Sequence, residues 1–297
     1  MSSPDPVTVS ARRSEIAGVP ETGPAAPRKS WRLWETAAVL AALVFSIWFL
    51  HFMVKGNNGF EDWGDLDYYK LLVRGWRKGQ LNIDKDPAPE LLALKDPYDP
   101  EQNGPYKMGD ISLYRGKYYT YFGAAPALTL MWPYAALTGR EMVTGAATFV
   151  FCVAALLAAS WLWLAVRRWH FPGSHPLVAP AGVLCLAFGT HLLALAQRPM
   201  MWELPISAGI AFTLLSASGC LLALRGVRPL AAMAGAGLCL GLAVGSRPTC
   251  LLAGGMLLVP VWRAWRAAAP GREWWRLALA AGMPLAICGL AIMAHNH

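Results

Sequence analysis

Two aspartates one residue apart, Asp65 and Asp67, lie in the stretch Trp63-Gly64-Asp65-Leu66-Asp67-Tyr68-Tyr69. They are the residues best suited to proton transfer or cation binding. From Asp67 onward, Tyr68, Leu71, Leu72 and Trp76 recur at helical spacing, which predicts an amphipathic helix. Either aspartate then stands at its N-cap, where a carboxylate accepts from free backbone N–H groups and meets the favourable end of the helix dipole. Two uses are open. The acids only cap the helix, or one of them acts as a general base or as a ligand to a divalent metal.

A second constellation runs from Asp110 to Gly123. Arg115-Gly116-Lys117 between aromatic runs predicts a hairpin turn. Asp110, Tyr114, Arg115, Lys117 and Tyr119 would suit a sugar or a phosphate, since aromatic rings stack on sugar faces and cations hold phosphate. An aromatic belt at the membrane interface accounts for them equally well. Arg198 and Glu203 bracket Pro199-Met200-Met201-Trp202, and either pair with each other or reach toward one cavity. Arg247, in Ser246-Arg247-Pro248, is placed to bind a lipid phosphate bidentately or to snorkel to the interface. The proline-broken acidic stretches 84–90 and 96–100 lack the glycine of a calcium loop and read as extended linker. All six cysteines fall in apolar runs without CxxC or Cys/His spacing, so they read as small buried hydrophobes. His51 and His191 make no metal site. No metal ligand set is assigned, and a divalent cation enters only as a companion of Asp65 and Asp67. The glycines between Gly235 and Gly245 suit close helix packing rather than nucleotide binding.

The elements that must position these residues follow from composition. The 297 residues are 56% hydrophobic and only 15% charged, with a mean hydropathy of +0.36. Such a chain is an integral membrane protein rather than a disordered chain, a disulfide scaffold or a secreted globular enzyme. A span needs roughly 20 apolar residues. Uncharged runs at 36–54, 142–166, 177–197, 204–224, 229–246, 248–262 and 277–294 predict an all-α membrane protein of about seven transmembrane helices. Residues 1–33 read as a disordered cytoplasmic tail, 34–54 as the first span and an uncleaved anchor, 55–141 as a large external loop, and 142–297 as a six-helix bundle. Phe122–Gly139 carries Pro126 and Pro133 and reads as an interfacial or re-entrant helix, with Trp132 and Tyr134 at headgroup depth.

Charge sets the orientation. With seven spans and an inside N-terminus, the inner side collects the tail cations, Arg167, Arg168, Arg225, Arg228, Arg263, Arg266, Arg272 and Arg276, as the positive-inside rule requires. The 55–141 segment holds eleven of the 26 Lys and Arg residues and twelve of the 18 Asp and Glu residues. The basic pI near 9.3 therefore records orientation, not nucleic-acid binding. The span interiors carry no Asp, Glu, Lys or Arg and no inverted repeat is evident, which argues against an ion-coupled transporter.

The pattern resembles the polytopic GT-C class of membrane glycosyltransferases. The resemblance rests on Asp65-Leu66-Asp67-Tyr68-Tyr69, Gly79-Gln80-Leu81, Tyr121-Phe122-Gly123-Ala124-Ala125-Pro126 and Ser246-Arg247-Pro248. Pro89-Glu90-Leu91-Leu92-Ala93-Leu94, Pro97-Tyr98-Asp99-Pro100 and the stretch Leu113–Gly123 are similar to a bacterial subgroup of these transferases. The resemblance implies transfer of a sugar from a polyprenyl-phosphate donor to an acceptor on the outer face of the plasma or inner membrane, with the large loop external or periplasmic. It implies Asp65 as base with Asp67 as its partner, and Arg198 and Arg247 on the departing phosphate. The usual acidic motif has its two acids adjacent; here Leu66 separates them. The class carries a further C-terminal module, and a sequence ending at His297 fits either a shorter protein or a fragment. A non-catalytic envelope-assembly scaffold is the alternative.

Overall fold

A computed structural model describes residues 29–267 and 274–295. The predicted tail, apart from residues 29–33, lies outside them, as do Arg272 and the last two residues. The first helix, α1 (Lys29–Gly56), begins five residues ahead of the expected boundary.

Five helices are long and apolar enough to cross a bilayer: Arg32–Gly56 of α1, Thr144–His170, Glu203–Leu224, Pro229–Ser246 and Trp274–Ala294. The chain is thus a multi-pass, essentially all-α membrane protein. Of the seven apolar runs, two are not continuous helices. The 177–197 run is divided into Val178–Phe188 and Leu192–Gln197 by Gly189-Thr190-His191. Its longer piece has 11 residues, which at 1.5 Å per residue is well short of a hydrocarbon core about 30 Å thick. The 248–262 run begins as a 3₁₀ turn, Pro248–Gly254, before Gly255–Arg266 continues as α-helix. Pro248 has no N–H with which to continue the preceding ladder.

Between the first two spans, the 55–141 segment has its own structure. A 3₁₀ turn (Gly64–Leu66) leads into α2 (Tyr68–Arg77), two short helical turns α3 (Pro89–Ala93) and α4 (Pro100–Asn103), and a hairpin of β1 (Ser112–Tyr114) and β2 (Lys117–Tyr119). Arg115 and Gly116 both have positive φ, at 49° and 72°. This is the two-residue turn whose twist suits a hairpin, and it confirms the turn expected at Arg115-Gly116-Lys117. The expected interfacial helix is a π-helical stretch, Ala127–Met131, running into α5 (Trp132–Thr138), with Gly139 left-handed at its end. The bundle follows as α6 (Thr144–His170), α7 (Val178–Phe188), α8 (Leu192–Gln197), α9 (Glu203–Leu224), α10 (Pro229–Ser246), α11 (Gly255–Arg266) and α12 (Trp274–His295).

The segment is packed onto the bundle, not tethered to it. Tyr69, Leu71, Leu72, Ile83, Leu91 and Met131 belong to the same buried cluster as Leu156, Leu195 and Leu204 of the bundle. A bidentate ion pair of Arg74 with Glu141 joins α2 to the approach of α6, its Nη2–Oε2 contact being 2.6 Å. Lys70, on the expected polar side of α2, is buried and paired with Asp62. The helix is therefore enclosed on more than the one face its periodicity predicted. At Gly145 a Cβ would fall 1.9 Å from the carbonyl oxygen of Gly59, so the start of α6 lies directly on the turn after α1.

Within the bundle, Gly237 and Gly241 face α12. An added Cβ would meet Ala281 O at 2.0 Å and Cys288 Cβ at 2.6 Å. These glycines allow backbones to approach closely where lipid supplies no hydrophobic drive for helix association. The outer side of α12, with Met283, Ile287, Leu290 and Met293, is exposed, as expected of a helix against lipid.

Candidate functional site

The two aspartates diverge. Asp67 is 7% exposed. Its Oδ1 accepts from Lys70 N at 3.1 Å and Thr144 Oγ1 at 2.5 Å, and its Oδ2 accepts from Thr144 N at 2.8 Å. One carboxylate thus caps α2 and binds the first residue of α6. Both of its oxygens serve backbone and hydroxyl groups that burial would otherwise leave unpaired. Asp65, in the 3₁₀ turn, is exposed, with Oδ2 3.4 Å from Lys85 Nζ. It lines a polar cleft of about 440 Å³ together with Lys78, Gln80, Asn82, Asp84 and Lys117. Asp67 instead borders an apolar cavity of about 160 Å³ lined by Leu66, Tyr68, Met200 and Met201.

This separation bears on the divalent cation. Asp67 has no free oxygen to offer, and among the described residues no three His, Cys, Asp or Glu side chains converge in a way that could hold a metal ion. The residues present do not fit a metal site built on Asp65 and Asp67.

The hairpin register pairs Ser112 with Tyr119, Leu113 with Tyr118 and Tyr114 with Lys117. Directly opposed residues share a face, so Tyr114, Lys117 and Tyr119 lie on one side. Tyr118 turns into the core on the other. Tyr114 and Tyr119 meet edge-on at 6.2 Å, and Arg115 stacks over Tyr114 at 5.1 Å. Lys117 reaches the Asp65 cleft as well. That cleft forms because Ile83 N–H donates to Tyr118 O at 3.0 Å, laying residues 83–86 beside the hairpin.

Asp110 joins a different group. Its Oδ1 accepts from Tyr121 Oη at 3.2 Å, while Tyr68 Oη donates to the neighbouring Gly109 O at 2.6 Å. Burial and the Asp110 charge both raise the phenol pKa values of Tyr68 and Tyr121. The Arg247 charge acts in the opposite direction on Tyr121 and on the deeply buried Tyr69, where burial prevails and keeps the phenol protonated. Tyr69 Oη donates to Gly123 O at 3.0 Å.

Gly123 is the hinge of this arrangement. A Cβ there would lie 2.2 Å from Ser246 O and 2.3 Å from Gly245 O. The backbone of Tyr121–Ala125 therefore rests directly on the Ser246-Arg247-Pro248 junction, joining two stretches that stand more than a hundred residues apart. Arg247 donates from Nη2 to Trp202 O at 3.1 Å, while its buried Nε has no partner. Glu203, the residue after Trp202, likewise has a buried Oε2 without a partner. No ion pair joins Glu203 to Arg198 among the described residues, and Arg198 is exposed.

The structure thus gathers the candidates into two groups: Asp65, Lys85 and Lys117 around the polar cleft, and Asp110, Tyr121, Tyr69 and Arg247 around the Gly123 contact, with Glu203 beside the carbonyl that anchors Arg247. Tyr69, Gly123 and Thr144 carried no assignment of their own in the sequence. A glycine followed by Ala124-Ala125-Pro126 could have signalled a close backbone approach, but nothing in the sequence names Ser246 as what it approaches. No protein-family model, no curated protein and no solved structure matches the chain.

Proposed function

We propose that the protein is a membrane glycosyltransferase that moves a sugar from a polyprenyl-phosphate donor to an acceptor hydroxyl on the outer face of the membrane. The observation that carries this reading is Arg247: a guanidinium at a helix junction, fixed through one nitrogen on Trp202 O and with its Nε unpartnered, beneath the Tyr121–Ala125 backbone. Guanidinium donors suit the planar, bidentate recognition of phosphate. At this end of the bundle a lipid tail stays in hydrocarbon while its phosphate meets the cation.

In this mechanism the acceptor hydroxyl attacks the anomeric carbon of the donor. The bond from that carbon to the phosphate oxygen breaks, and polyprenyl phosphate departs with its charge stabilised by Arg247. The hydroxyl proton passes to a carboxylate within hydrogen-bond reach. Asp110 is the carboxylate grouped with Tyr121 and Arg247 and takes that role here; Asp65, the base implied by resemblance, belongs with Lys85 and Lys117 on the acceptor side. The inside N-terminus and external 55–141 segment in this reading rest on the distribution of cations, with the two broken runs counted as crossings beside the five continuous spans. The second reading is a non-catalytic envelope scaffold, favoured by the use of Asp67 as a structural clamp.

The test is incubation of the purified protein in lipid with a panel of polyprenyl-phosphate sugars, reading release of the lipid phosphate. Turnover should be lost in Arg247→Gln and Asp110→Asn and reduced in Asp65→Asn. Absence of turnover with every donor would favour the scaffold, and full activity of Arg247→Gln would defeat the proposal.

A further inference from the structure

The opposite end of the bundle carries a cationic arrangement of its own. There α6 ends in Arg167-Arg168-Trp169-His170, and α9 ends at Leu224, followed by Arg225-Gly226-Val227-Arg228 before α10 begins. Gly226 N–H donates to Ala223 O and Val227 N–H to Leu222 O, both at 3.0 Å, closing the last turn of α9. Gly226 and Arg228 have φ of +74° and +42°. This tight connection holds two arginines and an exposed valine at the end of the long apolar helix α9.

Arg225 bridges the two helices. Its guanidinium carbon lies 4.2 Å from the centre of the Trp169 ring, and its Nη2 is 3.4 Å from His170 Nε2. Stacking on an indole fixes the plane of a guanidinium while leaving most of its five N–H donors available. Among the described residues, two further arginine–tryptophan stacks, Arg266 on Trp262 and Arg276 on Trp275, are each made within a single helix. The negative charge described nearby is Glu35, whose carboxylate is engaged by Arg167. Arg168, Arg225 and Arg228 therefore present a positive charge that no described carboxylate neutralises.

We propose that the ends of α6 and α9 form a binding site for the headgroup of an anionic phospholipid. Arg225 meets the phosphodiester, Arg168 and Arg228 add to the attraction, and Trp169 and Val227 lie against the first methylenes of the chains. A free phosphate ion shares the anionic chemistry but gains nothing from the apolar pair, so the lipid is the ligand. The site does not depend on the transferase reading.

The experiment uses the full chain purified in neutral detergent. Binding of phosphatidylglycerol and of phosphatidylcholine with identical acyl chains is counted by native mass spectrometry, and thermal unfolding is followed with each lipid and with inorganic phosphate. Phosphatidylglycerol should bind in preference and raise the unfolding temperature, and inorganic phosphate should not. One cation against an anionic lipid changes binding roughly fivefold, so Arg225→Gln should lower the preference by about that factor, and Arg266→Gln should leave it unchanged. The double change Arg168→Gln with Arg228→Gln breaks no ion pair or hydrogen bond described above and should lower the preference even if Arg225→Gln does not fold. Equal binding of the two lipids to the unaltered protein, stabilisation by inorganic phosphate alone, or an undiminished preference in the double variant would each overturn the proposal.

Discussion

Replacing Asp67 with alanine should damage the fold before it damages any chemistry. The carboxylate accepts three hydrogen bonds, one from the first turn of α2 and two from Thr144 at the start of α6. Losing an N-cap costs about 1 kcal/mol, and leaving a buried donor without an acceptor costs about 1–3 kcal/mol. Asp67→Ala removes the cap of α2 and strands both the N–H and the hydroxyl of Thr144, so the expected loss is roughly 3–7 kcal/mol. Asp67→Asn should lose less, because its amide oxygen still accepts while its amide nitrogen opposes another donor. The assay is unfolding in mixed micelles titrated with a denaturing detergent, on Asp67→Ala, Thr144→Val and the double variant. Because the two side chains share a bond, the double variant should be less destabilised than the sum of the singles. A loss within about 1 kcal/mol for Asp67→Ala, or strict additivity with Thr144→Val, would refute the clamp and return Asp67 to the list of catalytic acids.

Other perturbations address the contacts around this clamp. Gly123→Ala places a methyl 2.2 Å from Ser246 O; it should separate the Tyr121–Ala125 backbone from Arg247 and abolish lipid-phosphate release while the helical circular dichroism signal persists. Gly237→Ala puts a methyl 2.0 Å from Ala281 O and should cost about 1–3 kcal/mol by forcing α12 away, measured in the same micelle titration. Acid should loosen the attachment of α2. The hydrogen bond from Lys70 holds Asp62 below its ordinary 3.8, and that from Arg74 holds Glu141 below 4.5. Both carboxylates have depressed values in the fold, so their contribution is present above the ordinary values and is lost as pH falls through the lowered ones. Tryptophan fluorescence followed below about pH 4.5 should report the change, and Arg74→Gln should remove the part that belongs to Glu141.

Much of the architecture was legible because the bilayer imposes a one-dimensional rule: a spanning helix is a long run without charge. Five of the seven runs became continuous spans on that basis. The two that did not were interrupted at Gly189-Thr190-His191 and at Pro248, and run length alone gives no weight to such breaks. The helix from Tyr68, its cap at one of Asp65 and Asp67, the turn at Arg115-Gly116 and the packing role of Gly237 and Gly241 were also readable, since each depends on neighbours within a few residues. The enclosure of Lys70 was not, because a lysine on a polar stripe is buried only when other segments pack over it, and its partner Asp62, eight residues back, is brought within reach only by the fold of the intervening 3₁₀ turn.

The sequence by itself determined that the chain lives in a membrane, how its apolar runs are ordered, and that its acids concentrate in one segment. Only the tertiary structure decided what the two aspartates do. Asp65 and Asp67 are equivalent as residue types, but Thr144 comes in from 77 positions away to occupy one carboxylate and leaves the other in an exposed cleft. The same holds for Arg247, whose surroundings are the Trp202 carbonyl and the Gly123 backbone. Local spacing fixes a helix because its hydrogen bonds close over four residues. A site is fixed by which distant segments pack within hydrogen-bond reach, and that depends on the whole set of interfaces around it.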